Sequence, residues 1–154
     1  EVWPALFAAL KARGCEKTYV AEVAGLPPAS TVVRAPIGRS GRRSGRVRIG
    51  GGRGLLPAET AVERLERRGA TALVRAVLAS GRPHQVRAHL AHLGTPVVGD
   101  EVYGDEAAQA IFAAVGAREL RLHARSLRFV HPRTGAAVFV EAPLPSWARP
   151  RGRP

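Results

Sequence analysis

The sequence predicts a single globular domain that combines helices with strands. Three observations lead there. The chain has 154 residues, 45% of them hydrophobic, which is one domain's worth of protein and buries roughly two-thirds of its unfolded surface in one core. Apolar residues recur at helical spacing at Trp3, Leu6, Phe7 and Leu10, and again at Val86, Leu90 and Leu93. Elsewhere Thr18, Val20 and Glu22 alternate with Tyr19, Ala21 and Val23, the period of a strand.

In chain order, the first helix carries Lys11 and Arg13 in its last turn and Gly14 as its stop, and its amphipathic pattern predicts packing on a core. The strand EKTYVAEVAG follows and ends at Gly25. The segment AETAVERLERRGATALVRAVLASG is ambiguous. Its Ala, Glu, Leu and Arg are helix formers, yet Thr60, Val62, Ala72, Val74, Ala76 and Leu78 alternate around an Arg68-Gly69 turn. GRPHQVRAHLAHLG reads as a helix with Pro83 in its first turn and Gly94 closing it. TPVVGDEVYG reads as a short strand and a glycine-bounded loop, followed by a small helix around Ala107 to Val115. The chain then forms a hairpin about a Pro132-Arg133-Thr134-Gly135 turn. Residues 146–154 are expected to form a disordered basic tail.

Twenty-four Lys and Arg against 12 Asp and Glu give a formal charge of +12, which makes nucleic acid the first partner to consider. Only Lys11 and Lys17 are lysines, so a compositional bias accounts for Arg over Lys but not for base over acid. The excess is concentrated. From Val23 to Ala58 no acidic residue occurs, while Arg34, Arg39, Arg42, Arg43, Arg46, Arg48 and Arg53 sit among eight glycines from Gly25 to Gly54. This stretch reads either as a basic loop or hairpin that follows a phosphate backbone, or as a solvated linker. No apolar run reaches the ~18 residues of a membrane span. A lone cysteine, Cys15, forms no internal disulfide and suits a reducing cytoplasm.

His84, His89 and His92 invite a metal reading, with Asp100 as a fourth ligand. Helical geometry argues against it, because His84 and His89 point roughly 140° apart and only His89 and His92 share a face. Neither Ser80 nor Ser126 lies in a nucleophile-elbow pattern, which excludes Ser/His/Asp hydrolysis. What remains is a cationic helix start, with Arg82, His84, Gln85 and Arg87 where backbone N–H groups lack partners. Its anion is an RNA phosphate or a protein carboxylate.

Three strings resemble one family. SGRPHQVRAHLAHLGTPVVGDEVYG is similar to the GR-x-HQ-[IL]-R and GD-x-x-Y signature of RluA-type pseudouridine synthases, LRLHARSLRFVHPRTG to their LHA-x-x-L-x-F-x-HP segment, and EKTYVAEVAG to their K-x-Y-x-A-x-V-x-G strand. The resemblance implies an α+β fold with a mixed, mainly antiparallel sheet, flanking helices and an RNA cleft, spanning residues 1–145. It also implies that LPAETAVERLER is a strand.

For chemistry the resemblance implies isomerisation of uridine in ribosomal or transfer RNA, with no cofactor and no metal, by a cytoplasmic monomer. Tyr19 matches the tyrosine that stacks on the flipped base, and Arg87 the arginine that pairs with the catalytic aspartate. Arg82, His84, Gln85, Leu122, His123, Arg42 and Arg43 complete the expected substrate-binding set. The family's H-R-L-D string is absent, and the aspartates are Asp100, in the GD-x-x-Y loop, and Asp105. The chain has no Met, so the nucleophile is expected to be encoded before Glu1 and the 154-residue chain to be inactive alone. A non-catalytic RNA-binding protein and a basic ribosomal structural protein are the alternatives.

Overall fold

The computed structural model describes residues 2–11, 14–39, 45–78 and 81–151. Its elements are α1 (Val2–Lys11), β1 (Glu16–Ala24), β2 (Ser30–Arg34), β3 (Ile37–Arg39), β4 (Val47–Ile49), β5 (Glu59–Arg68), β6 (Thr71–Leu78), α2 (Gln85–His92), α3 (Glu106–Ala114), β7 (Leu122–Val130), β8 (Ala137–Glu141) and a short 3₁₀ turn, Ser146–Ala148. Six strands form one sheet in the order β2-β5-β6-β1-β7-β8, and β3 and β4 form a separate hairpin. Every pairing is antiparallel.

The ambiguous segment is the β5–β6 hairpin, turning at Gly69 with φ 69°. Alternation wins over helix propensity because Thr60 and Val62 are buried while β2 and β6 hydrogen-bond β5 from both sides. Across that pairing Glu63 faces Arg75, an ion pair that a helix would not make.

The sheet has two covered faces. On one, Tyr19, Ala21 and Val23 of β1, Val74, Ala76 and Leu78 of β6, and Val62 of β5 pack against Val86 and Leu90 of α2. On the other, Val20 and Leu73 pack under Leu144, Trp147 and Ala148. The β3–β4 hairpin seats Ile37 and Val47 against Ala88 of α2 and Tyr103, and α3 closes one end through Phe112 and Ala108 against Ala24 and Val98.

Three sequence expectations are corrected. Residues 146–151 are not a disordered tail: Ala148 is 1% exposed, and Arg68 donates to the carbonyls of Trp147 and Arg149 at 2.5 and 2.7 Å. Residues 152–154 lie outside the described residues. The α1 helix forms, but only Leu6 and Leu10 of its apolar stripe are half-buried, while Trp3 and Phe7 are 80% and 60% exposed. Pro83 precedes α2, because His84 takes a left-handed conformation and delays the helix to Gln85.

A buried charge network ties the second face together. Glu22 is 1% exposed and accepts from Thr71 Oγ1 at 2.7 Å and from Arg121 at 2.6 Å. Arg68, its side chain equally buried, lies 3.9 Å from Glu22 and pairs with Glu66 at 2.6 Å. One carboxylate thus anchors the β5–β6 turn and the approach to β7, and through Arg68 the C-terminal segment. Such a network holds only because every charge in it is matched.

Candidate active site

The cationic start of α2 is built by an unusual turn. His84 has φ 54° and ψ 16°, the one non-glycine residue with positive φ among those described. This conformation costs a histidine on the order of 1 kcal/mol or more. Gln85 supplies the restraint. Its Oε1 accepts from the Arg82 amide at 3.0 Å, and its Nε2 donates to the Glu59 carbonyl at 2.8 Å and to Thr60 Oγ1 at 3.2 Å. Gln85 is 2% exposed, and with its amide engaged within the protein it pins the turn to β5.

One turn later, Arg87 meets Asp100 in a bidentate pair, Nε to Oδ2 at 2.7 Å and a terminal nitrogen (NH2) to Oδ1 at 2.6 Å. The sequence pattern gave Arg87 an acid from outside the chain; the structure gives it one from inside. Asp100 Oδ1 also accepts the amides of Val102 and Tyr103 at 3.0 and 3.1 Å, and its side chain is fully buried. Burial works against the charged carboxylate, but the Arg87 hydrogen bonds and the two amides outweigh it and hold Asp100 below its ordinary range. The same hydrogen bonding raises Arg87, against the opposing effect of burial.

This pairing leaves the other terminal nitrogen of Arg87, NH1, facing His84 Nε2 at 3.5 Å. On its other side, His84 Nδ1 lies 3.3 Å from the hydroxyl of Tyr103, and the two rings meet edge to face. Tyr103 also accepts the Val47 amide at 2.9 Å. Its ring lies 5.2 Å from the Arg87 guanidinium and 5.5 Å from that of Arg46, within cation–π range of both.

Tyr19 stands half-buried on the sheet face that α2 covers, with Ala76 and Ala124 as its cross-strand neighbours. Burial, and secondarily Cys15, raise its phenol above the ordinary value. Leu122 packs against the same core, and His123 is the next residue of β7, its Nε2 buried without a hydrogen-bond partner among the described residues. Arg82 is half-buried with Nε likewise unpartnered. The expected contacts Arg42 and Arg43 lie outside the described residues, although the hairpin that frames them, Ile37–Arg39 with Val47–Ile49, is present.

His89, considered above as a ligand, is fully buried between Thr60 Oγ1 at 2.7 Å and the Ala35 carbonyl at 2.9 Å. The carbonyl requires the proton on Nε2. Burial foremost lowers its pKa, so this imidazole is a neutral strut between α2, β5 and the segment before β3. A cavity of about 670 Å³ opens on the opposite sheet face, lined by Val20, Leu65, Arg68, Leu73, Leu144 and Ala148, and touches none of the candidate residues.

Sequence reasoning missed Tyr103 as part of the site. The available signal was its place three residues after Asp100 in GDEVYG, where one turn brings both against α2.

The site therefore combines a half-buried tyrosine on an antiparallel sheet with a facing helix whose arginine is held by a buried carboxylate. Residues 2–92 match the family model described as RNA pseudouridylate synthase. The chain belongs to that family. It is 41% identical over 136 residues to an uncharacterized RNA pseudouridine synthase of Chloroflexus aurantiacus, covering 88% of this chain and 41% of that protein. It is 36% identical over 141 residues to ribosomal large subunit pseudouridine synthase C of Haemophilus ducreyi, covering 91% and 44%. Among solved structures, human RNA pseudouridylate synthase domain containing 1 superposes with a TM-score of 0.76 at 28% identity, covering 92% of this chain and 60% of that one. The chain therefore spans less than half the length of these curated relatives.

Proposed function

We propose that the protein is part of an RNA pseudouridine synthase, converting uridine to pseudouridine in ribosomal or transfer RNA. In this reaction the N1 glycosidic bond breaks, the base turns, and a C5 bond replaces it, so no atom is added and no cofactor is required. Tyr19 stacks on the extruded uracil, a contact worth ~1–3 kcal/mol and tolerant of sequence. Arg87 holds the nucleophilic carboxylate ionised and oriented. Arg82, Arg42, Arg43 and the β3–β4 hairpin hold phosphates, with Leu122 and His123 at the cleft wall. The relatives named as large-subunit enzymes favour ribosomal RNA as substrate. We place the enzyme in the cytoplasm as a monomer; no described helix is long and apolar enough to cross a membrane.

The observation that carries this reading is the fixed Arg87. Asp100 engages Nε and NH2 of the guanidinium; NH1 faces His84 Nε2 at 3.5 Å with one of its two N–H groups, and the other is the one we assign to a second acid. Neither aspartate of the chain is suited to be that acid. Asp100 is buried with both oxygens engaged, and Asp105 caps α3, accepting the Ala108 amide at 2.8 Å. We therefore assign the nucleophile to neither aspartate and infer that these 154 residues do not turn over uridine by themselves.

Tritium release from RNA labelled at uridine C5 tests both parts. A longer gene product containing these residues should release tritium and the 154-residue chain should not. Release by the short chain would overturn the assignment of the nucleophile. RNA binding without release by the longer product would make this a non-catalytic RNA-binding protein.

A further inference from the structure

We propose that Tyr103 is a positioning residue that fastens the basic β3–β4 hairpin to the Arg87 guanidinium, so that the phosphate grip and the reaction centre move as one body. The role rests on the RNA-directed function proposed above. Tyr103 belongs to neither element it joins. Its hydroxyl accepts the amide of Val47, the first residue of β4, whose cross-strand neighbour is Arg39. The ring lies between the Arg87 and Arg46 guanidinium groups, at 5.2 and 5.5 Å. Its own amide is held by Asp100 Oδ1, the oxygen that also receives Arg87.

Together these contacts tie the loop of Tyr103 to the hairpin, through Val47 and Arg46, and to Arg87 of α2. The loop behind Tyr103 is tight. A Cβ on Gly104 would stand 2.7 Å from the Asp100 carbonyl and 2.8 Å from Phe112, so the backbone there cannot carry a side chain without shifting. The hairpin is otherwise attached through Ile37 and Leu56 and by apolar packing on Ala88. Of these attachments, the phenol is the one that reaches both the hairpin backbone and the guanidinium. RNA phosphates gripped by Arg39, Arg46 and Arg48 are thereby set in register with whatever carboxylate meets the NH1 edge.

Two variants separate fastening from packing. Tyr103→Phe keeps the ring against both guanidinium groups but releases the Val47 amide and the His84 Nδ1 contact; Tyr103→Leu removes the ring contacts as well. In the 154-residue chain, Tyr103→Phe should speed hydrogen exchange at the Val47 amide about tenfold while leaving β1 and β6 amides unchanged. It should also weaken binding of a uridine-containing RNA hairpin by about threefold to tenfold, the range of one net hydrogen bond. In the longer, active gene product, Tyr103→Phe should raise KM more than it lowers kcat, and Tyr103→Leu should change both. A Tyr103→Phe protein with unaltered Val47 exchange, or with unaltered RNA affinity and KM, would overturn the proposal. Failure of the unsubstituted longer product to turn over would count against the proposed activity instead, since the exchange and binding measurements require no catalysis.

Discussion

Arg87 and Asp100 meet edge to edge, two parallel N–H···O bonds of 2.7 and 2.6 Å joining α2 to the loop that follows Val98. The carboxylate is fully buried and the guanidinium nearly so, with side chains 0% and 16% exposed. A charged pair so placed is held by geometry rather than by net Coulomb gain, and breaking it by removing one partner leaves the other charge stranded. The pairing fixes the orientation of the Arg87 guanidinium by engaging its Nε and NH2 groups.

Replacing Asp100 by Asn should therefore lower stability by about 3 kcal/mol, read as a lower urea midpoint with an unchanged slope. A loss below about 1 kcal/mol would show that the pair contributes little and that Arg87 is oriented by other groups.

Glu22 offers a parallel test on the far face. Glu22→Gln leaves Arg68 and Arg121 facing a neutral amide, and stability should fall by about 3 kcal/mol. Because Arg68 also grips the Trp147 and Arg149 carbonyls, limited proteolysis should cut residues 146–151 first. Uniform cleavage along the chain would separate the network from the C-terminal segment.

Acid stability should fall in two windows. His89 has a folded pKa below its unfolded 6.5, so the unfolded chain binds the extra proton, and stability is lost as pH drops from about 6.5 toward the folded value. Asp100 is depressed below 3.8, so its contribution is present above that value and disappears only as pH falls through the lower folded pKa. Thermal melts from about pH 8 to 3 should show the first loss, and His89→Gln should flatten it. An equal slope between about pH 7 and 5 in that variant would assign the loss to another group.

In the longer gene product, Arg87→Leu should abolish tritium release with little change in RNA affinity. Neutralising Arg39, Arg46 and Arg48 should instead weaken binding and reduce the salt slope by about 0.7–0.9 for each phosphate that is no longer neutralised. Equal effects of both changes on turnover and on affinity would show that the two groups do not divide the work.

Much of this architecture could be read from residue order. The β1 strand, the β7–β8 hairpin about residues 132–135 and the helix holding Val86 and Leu90 all follow from local periodicity, because a half-buried element must repeat its apolar residues with its own geometry. The site was legible only as residue types at a helix start. Arg82 and Arg87 announced positive charge there, but no local pattern tells that Gln85 turns inward to Thr60, twenty-five positions earlier.

By itself, the order of residues determined which segments become strands and helices, where the basic charge gathers, and the resemblance of three strings to one family. Tertiary structure alone decided that Arg87 takes Asp100 as its partner, that Tyr103 reaches across to Val47, and that the C-terminal residues to 151 fold back over Arg68. The physical reason is range. Periodicity is imposed by neighbours along the chain, whereas the pairing of a buried charge is settled by whichever opposite charge the completed fold brings within about 3 Å, at any separation in sequence.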